Sequence, residues 1–142
     1  MCIGNILTPE ELELIISKVN AADFIDGQAT AGWHARLVKH NTQLPASSPV
    51  LAAVREVIGA ALARHGLFQM AVHPHTIRPV TLSRYQVGMR YGSHIDDVMM
   101  QNPTMRSDMS MTLFLSDPAT YDGGELVIES TQGEAVFKLP AG

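Results

Sequence analysis

The sequence has few of the features that mark secreted, membrane-bound or nucleic-acid-binding proteins. Its one cysteine, Cys2, excludes an internal disulfide and favours a reducing compartment. No stretch approaches about 18 uninterrupted apolar residues, so a membrane span is excluded. The opening "MCIGNILTPEEL" also lacks the basic and apolar regions of a signal peptide. The net charge of −4 is scattered along the chain without a basic stripe or a polybasic run. We therefore expect a soluble, cytoplasmic protein that binds neither nucleic acid nor a membrane.

The 142 residues, of which 46% are apolar, suffice for one compact domain, and the first half carries two helix signals. In "TPEELELIISKVN", Thr8 is a predicted N-cap and Pro9 the first helical residue, which predicts a helix over roughly 9–20. In "SSPVLAAVREVIGAALARHG", Ser48 is the predicted N-cap of a second helix and Gly66 its C-terminal cap. The predicted buried stripe of that helix is Leu51, Val54, Ile58, Ala61 and Leu62.

After Gly66 the hydrophobic period changes from helical spacing to alternation. Four segments alternate with period two and are predicted strands: "VTLSRYQVG", "MSMTLFLS", "ELVIES" and "EAVFKLP". The last two are joined by "TQG", a hairpin-like turn, and a Met-rich loop, "DVMMQNPTMRSD", separates the first two. Helices followed by strands predict an α+β fold, with the helices packed outside a largely antiparallel β structure.

The stretch "SRYQVGMRYGSHIDD" contains a candidate metal-ligand pair. In an extended segment residues i and i+2 share a face, so the side chains of His94 and Asp96 would converge, whereas Asp97 would point to the other face. Spacing alone leaves two interpretations open. The pair supplies two ligands of a metal site, or His94 is a loop histidine that hydrogen-bonds to Asp96 or to the backbone.

The other histidines give weaker signals. His73 and His75 also have i, i+2 spacing, but Pro74 favours a loop and no acid lies nearby, which argues against a metal site. His34, His40 and His65 have no evident partner in the sequence and are predicted to be ordinary surface or core residues.

Longer blocks of the sequence resemble a known family. The sequence is similar to the prokaryotic PKHD-type hydroxylases, relatives of the prolyl 4-hydroxylases among the iron- and 2-oxoglutarate-dependent dioxygenases. The blocks that carry the resemblance are "RYQVGMRYGSHID" (84–96), "MRSDMSMTLFLSDPATYDGGELVI" (105–128) and "KLPAG" (138–142), with looser agreement in "FIDGQATAG" (24–32), "VKHNTQL" (38–44) and "ALARHGLF" (61–68).

The resemblance implies a fold and a cofactor set. The fold is a double-stranded β-helix, or jelly roll, here incomplete, with N-terminal helices packed outside. The resemblance also divides the chain into two parts. Residues 1–77 form a helical and mixed segment, and residues 78–142 form the N-terminal part of the dioxygenase domain. The family holds Fe(II) with two histidines and one carboxylate, of which His94 and Asp96 are the implied first two ligands. Co-substrates are 2-oxoglutarate and O2, ascorbate is the usual reductant, and the hydroxylated substrate is not indicated.

Three further residues are candidates by resemblance. Tyr85 matches a tyrosine that lines the 2-oxoglutarate pocket of related prolyl hydroxylases, although it could equally be an aromatic residue of the strand's core face. Tyr91 and Arg106 are expected to lie beside the ligands and could contact the substrate, and Arg106 could equally be a solvated loop charge.

The sequence departs from the family pattern after the first two ligands. The family needs a second histidine on a later strand and, beyond it, an arginine that binds 2-oxoglutarate. No histidine follows His94, and the only basic residue after Arg106 is Lys138. We therefore expect a C-terminally incomplete hydroxylase that is inactive alone and exposes an apolar face.

Three other functions stay open on the sequence. A small jelly-roll module could bind a ligand without redox chemistry, and "DVMMQNPTM" could be a Met-rich contact surface of an interaction domain. A metal-assisted hydrolase would need further ligands or a partnered base, and none is evident.

Overall fold

Short helices precede a series of short antiparallel strand pairs along the chain. The structure is a computed structural model that describes residues 1–100 and 104–142. The described helices are α1 (Pro9–Asn20), α2 (Trp33–Arg36), α3 (Pro49–Arg64) and α4 (Gly66–Val72), with 3-10 turns at Gly27–Thr30 and Pro118–Thr120. The described strands are β1 (Ile25–Asp26), β2 (Lys39–His40), β3 (Thr42–Gln43), β4 (Ser83–Arg84), β5 (Arg90–Tyr91), β6 (Met99–Met100), β7 (Met105–Arg106), β8 (Leu126–Ser130) and β9 (Gly133–Phe137).

Helix α1 begins where its capping residues predict. The Thr8 hydroxyl accepts a hydrogen bond from the Glu11 N–H at 3.3 Å, and the Glu11 carboxylate accepts one from the Thr8 N–H at 2.9 Å. This reciprocal capping box satisfies two backbone donors that a helix start would otherwise leave unpaired. The predicted helix over 9–20 is confirmed.

Helix α3 also begins as predicted, but the prediction for its C-terminal end is wrong. Ser48 caps the helix by accepting a hydrogen bond from the Leu51 N–H at 3.3 Å. Gly66 is not a terminal cap: it is the first residue of α4, and His65 lies between the two helices. The His65 Nδ1 accepts a hydrogen bond from the Phe68 N–H at 3.2 Å, so the expectation that His65 has no partner is wrong as well.

The hydrophobic core lies against α1 and α3 and comes mainly from the first half of the chain. The predicted stripe of α3 is confirmed, because all five of its residues are buried. The buried apolar residues are Ile6, Leu7, Ile15, Val19, Leu44, Leu51, Val54, Ile58, Ala61, Leu62, Phe68 and Leu82. Segments from the second half, including Leu113 and Leu115, pack against the outside of this cluster.

The strand pairs are antiparallel throughout the described residues. Strands β1, β3 and β4 form a three-stranded sheet in the order β1-β3-β4, while β2 pairs with β5, β6 with β7, and β8 with β9. The predicted hairpin around "TQG" is confirmed, with Leu126 opposite Phe137 and Ser130 opposite Gly133. Helices together with antiparallel sheets agree with the α+β prediction.

Three strand predictions need correction. Residues 109–116 are not a strand, because no other described segment forms a ladder with them, and alternation alone cannot make a strand. The predicted strand over 80–88 is regular only at Ser83–Arg84. The Met-rich loop contains the β6–β7 pair, and its residues 101–103 lie outside the described part of the chain. The jelly roll stays a prediction.

The division into 1–77 and 78–142 also stays a prediction. Two ladders join the two segments: Thr42 and Gln43 of β3 pair with Arg84 and Ser83 of β4, and β2 pairs with β5. In the described residues, no helix combines the length and the apolar character needed to cross a bilayer.

An ion pair links the start of α1 to the end of α3. The Arg64 guanidinium donates one hydrogen bond to Glu11 Oε1 at 2.7 Å, a second to Glu11 Oε2, and one to the Ile6 carbonyl at 3.3 Å. The Arg64 guanidinium and then the Thr8 N–H lower the pKa of the Glu11 carboxyl below its ordinary value. Its charged form is therefore favoured in the folded state.

We predict that this carboxylate contributes to the pH dependence of stability. A depressed folded-state pKa adds stability that is present above the unfolded-state pKa and is lost as the pH falls through the folded-state value. The Glu11→Gln variant should therefore lose less free energy of unfolding than the wild type between about pH 6 and pH 3. Urea unfolding at both pH values measures this difference. Glu13→Gln, on the same helix, is the matched control, and equal pH dependence in all three proteins would contradict the assignment.

Candidate metal centre

The backbone around Gly92 sets the geometry of the site. Strands β2 and β5 place Lys39 opposite Tyr91, and the ladder is extended by the Gly92 N–H, which donates to the Val38 carbonyl at 2.8 Å. A Cβ added to Gly92 would lie 3.1 Å from the Val38 Cβ. The close approach of the two segments therefore favours glycine at position 92.

The carbonyl of Gly92 orients the imidazole of His94. His94 Nδ1 lies 2.8 Å from this oxygen, which can only accept, so Nδ1 carries the proton of the neutral ring. Nε2 faces Asp96, with 3.4 Å between Nε2 and Oδ1, and in the tautomer protonated at Nδ1 it offers a lone pair to a metal ion. A backbone carbonyl on one ring nitrogen and a free lone pair on the other is the usual arrangement of a metal-ligating histidine.

The separation of the two donor atoms fits one metal ion. Two ligands that each lie about 2.1 Å from an ion, at a right angle to one another, are about 3 Å apart. The observed distance between His94 Nε2 and Asp96 Oδ1 is close to this value. Asp96 rather than Asp97 faces the imidazole, as the period-two argument predicts, and residues 94–97 are not helical. Their role as ligands stays a prediction.

An aromatic ring supports the imidazole on one side. The rings of Tyr91 and His94 stack with a centroid distance of 3.8 Å and an angle of 14° between planes. Burial raises the pKa of the Tyr91 hydroxyl, and the negative charge of Asp96 adds to this effect. Tyr91 is thus kept neutral beside the pair. The Asp96 side chain is 66% exposed and the His94 side chain 26%, so the pair opens to solvent mainly at the carboxylate.

The described residues supply two candidate ligands at this point and no more. Among the side chains that the structure describes, no group of three or more histidine, cysteine, aspartate or glutamate residues could hold a metal ion. His73 and His75 belong to no such group: His73 caps α4 in a left-handed conformation, and His75 contacts Thr76. The prediction for His34 concerns a side chain outside the described part of the structure.

The remaining predicted site residues, Tyr85 and Arg106, make different contacts from Tyr91. Burial raises the pKa of the Tyr85 hydroxyl, while the nearby Asn41 amide acts in the opposite direction. The Arg106 Nε donates to Asp108 Oδ1 at 2.6 Å, and both side chains are exposed. Asp108 lines a cleft of about 180 Å³ together with Asp96 and Asp97. Of the two predicted substrate residues, Tyr91 therefore contacts a candidate ligand, while Arg106 has an acidic partner.

A row of buried polar residues was not predicted from the sequence. Lys39, Asn41 and Gln43 alternate along the chain and are all buried, and among the described residues the amide nitrogen and oxygen of Asn41 have no partner at hydrogen-bond distance. Gln43 donates to the Ser83 hydroxyl at 2.8 Å and contacts the Thr30 hydroxyl. The signal in the sequence is "KHNTQ", a polar strand segment with none of the apolar alternation expected of a buried face.

We predict that Gly92→Ala weakens metal binding more than it weakens the fold. The added methyl group would press on Val38 and displace the carbonyl that orients His94, and loss of such an outer-shell partner typically costs roughly tenfold or more in metal affinity. Titration with Co(II), followed by visible absorption, measures the affinity. Gly4→Ala is the control, because a Cβ there meets nothing within 4 Å. Unchanged Co(II) affinity in a folded Gly92→Ala variant would contradict the role of this carbonyl.

The sequence is similar to known proteins. Residues 80–141 match the 2OG-Fe(II) oxygenase superfamily. Over the whole chain the sequence is 51% identical to a PKHD-type hydroxylase of Synechococcus sp. (strain JA-2-3B'a(2-13)), of which it covers 64%. Over 99% of the chain it is 49% identical to one of Picosynechococcus sp. (strain ATCC 27264 / PCC 7002 / PR-6), of which it covers 63%.

The chain thus spans less than two-thirds of the length of these curated relatives. The resemblance found in the sequence is confirmed by both kinds of match. The chain is thus similar over residues 80–141 to the 2OG-Fe(II) oxygenase superfamily, and over its whole length to part of the PKHD-type hydroxylases.

Proposed function

We propose that the chain supplies two metal ligands, His94 and Asp96, to an Fe(II)- and 2-oxoglutarate-dependent dioxygenase that hydroxylates a substrate. The observation that supports this most directly is the convergence of His94 Nε2 and Asp96 Oδ1 at 3.4 Å. When bound, iron and 2-oxoglutarate supply the oxidising chemistry, in which O2 is consumed and 2-oxoglutarate becomes succinate and CO2. The similarity to the 2OG-Fe(II) oxygenase superfamily supports the reaction type, and the substrate is unidentified.

In this proposal the chain's own residues bind the metal ion and orient its ligands. His94 offers a neutral imidazole whose tautomer is set by the Gly92 carbonyl, and Asp96 offers a carboxylate that balances part of the metal's charge. The Tyr91 ring holds the imidazole plane by stacking and limits the access of water on that side. Two ligands from one short segment leave coordination positions open for co-substrate and O2, as in the facial-triad sites of this enzyme class.

Three less direct roles complete the proposal. Tyr85, which is exposed in the 142-residue chain, lines the 2-oxoglutarate pocket, and its hydroxyl, kept neutral by a raised pKa, can donate a hydrogen bond to a carboxylate. Tyr91 contacts the substrate beside the metal. Arg106 also contacts the substrate, and for this its hydrogen bond to the exposed Asp108, 2.6 Å long, must break. Ascorbate serves as the reductant that restores ferrous iron, and the double-stranded β-helix is the scaffold.

We further propose that the 142 residues alone turn over little 2-oxoglutarate. The described residues bring two ligands together, and the sequence contains no histidine after His94. Two protein ligands without a third hold an ion weakly, and no arginine follows Arg106 to bind the distal carboxylate of 2-oxoglutarate.

Metal binding tests the first proposal. Anaerobic addition of Fe(II) and 2-oxoglutarate to the wild-type chain should give a weak visible charge-transfer band. His94→Ala should abolish the band, because the imidazole is one of only two ligands offered, whereas His75→Ala, at an exposed histidine, should leave it unchanged. Circular dichroism establishes that both variants are folded. A band that survives in His94→Ala would contradict the assignment, and 2-oxoglutarate binding that survives without Fe(II) would favour a non-catalytic binding module.

Turnover tests the second proposal. Succinate formation by the 142-residue chain should be at least about a hundredfold slower than by a version extended with the corresponding C-terminal residues of a PKHD-type relative, since a missing metal ligand and a missing clamp each cost at least about tenfold. Both proteins are assayed with equal Fe(II), 2-oxoglutarate and ascorbate. Comparable succinate formation by the two would contradict the proposal.

A further inference from the structure

A series of polar contacts leads from strand β4 to the lysine that lies opposite Tyr91. The Ser83 hydroxyl accepts a hydrogen bond from the Gln43 amide at 2.8 Å, and Gln43 also contacts the Thr30 hydroxyl. The same Thr30 hydroxyl accepts a hydrogen bond from the Lys39 ammonium at 3.0 Å. Lys39 and Gln43 share one face of an extended segment because they are four residues apart. The Lys39 ammonium is therefore held at a defined position by its neighbours on that face.

The Lys39 ammonium also contacts an aromatic ring on the neighbouring strand. Lys39 and Tyr91 are directly opposite one another in the β2–β5 ladder, so their side chains lie on the same face. The ammonium nitrogen is 5.2 Å from the centre of the Tyr91 ring, within the limit of about 6 Å for a cation–π interaction. Because Lys39 is only 6% exposed, little water competes for its charge, and a cation–π interaction is stronger under those conditions.

The ring is one of few groups that stabilise this buried charge. Among the described side chains, no carboxylate lies within ion-pair distance of the Lys39 ammonium. Burial lowers the pKa of this ammonium, and the more distant charge of Asp26 opposes the effect. A buried charge is costly unless polar or π groups surround it, so the Thr30 hydroxyl and the Tyr91 ring offset part of that cost. Displacing the ring from the ammonium is correspondingly unfavourable.

The Tyr91 ring in turn restrains the imidazole of His94. The two rings stack with a centroid distance of 3.8 Å and an angle of 14° between planes. The hydrogen bond of Nδ1 to the Gly92 carbonyl fixes one atom of the imidazole, but it leaves the ring free to tilt about that contact. The second side-chain torsion of histidine has only broad energy minima, so stacking is what fixes the ring plane.

We propose that Lys39 is a positioning residue of the metal centre: its ammonium holds the Tyr91 ring, and this ring holds the His94 imidazole in the plane that directs Nε2 to the metal ion. The metal part of this inference rests on the proposed function, whereas the ordering of His94 does not require a metal. A direct effect of the lysine charge has the opposite sign, because a nearby cation repels a metal ion and its removal would strengthen metal binding.

Proton NMR of the metal-free chain tests the ordering of His94. Stacking on Tyr91 shifts the imidazole protons of His94 upfield, and the spectrum of His94→Gln identifies these signals. Lys39→Met removes the charge but keeps an unbranched side chain, so it should lose most of this upfield shift. Lys39→Arg keeps the cation and should retain the shift. Lys18→Met, at an exposed lysine of α1, is the matched control and should leave it unchanged.

A double-mutant cycle on Co(II) affinity tests whether Lys39 acts through Tyr91. Lys39→Met should weaken Co(II) binding roughly three- to tenfold, the range that a desolvated cation–π interaction supports. Tyr91→Leu should weaken it as well. Adding Lys39→Met to Tyr91→Leu should then cause no further loss, because no aromatic ring remains between the two side chains.

Thr30→Val covers the case in which Lys39→Met fails to fold. This variant keeps the shape of Thr30 and the charge of Lys39, but it removes the hydroxyl that accepts the ammonium hydrogen bond. The upfield shift of the His94 protons should decrease in the same direction as in Lys39→Met, and by less.

The proposal is overturned if folded Lys39→Met, or folded Thr30→Val where Lys39→Met does not fold, keeps the full upfield shift of His94. It is also overturned if Lys39→Met strengthens Co(II) binding, or weakens it equally with and without Tyr91. The proposed function fails separately. If His94→Ala leaves Co(II) binding unchanged while the His94 shifts respond to Lys39, the metal centre is wrong and the ordering of His94 by Lys39 stands.

Discussion

The candidate site depends on the close approach of the backbone at Gly92 to that at Val38. The N–H of Gly92 ties the segment to Val38, and its carbonyl, fixed by that bond, orients His94 at 2.8 Å. A side chain at position 92 would crowd Val38 at 3.1 Å and displace this carbonyl. The tautomer of the imidazole and its direction toward Asp96 both depend on this one carbonyl.

The polar interior beside this glycine is costly for a domain of this size. Lys39, Asn41 and Gln43 occupy positions that apolar residues would fill at lower cost, and in the described part of the chain the Asn41 amide has no partner at hydrogen-bond distance. The core packed against α1 and α3 is apolar by contrast. Stability therefore comes mainly from the helical half, and the buried polar residues of the strands are better explained by a role other than stability.

Local signals predicted the helical part of the fold well and the strands less well. Thr8 and Ser48 act within a few residues, so the starts of α1 and α3 could be predicted. Gly66 is compatible with a cap but begins α4 instead, because the His65 ring satisfies the Phe68 N–H. Residues 109–116 alternate like a strand, yet a ladder needs a partner that the local pattern does not specify. The β8–β9 hairpin could be predicted because its partner lies across a short turn.

By itself, the sequence determined the two helix starts, the buried stripe of α3, the hairpin and the pair of residues that face one another, His94 and Asp96. These depend on spacings of two to four residues, which chain geometry fixes locally. Only the tertiary structure decided that β2 lies beside β5, so that Gly92 approaches Val38 and the Lys39 ammonium lies 5.2 Å from the centre of the Tyr91 ring. Those contacts join β2 to β5 across about fifty residues of chain, a separation over which no local pattern can specify which groups meet.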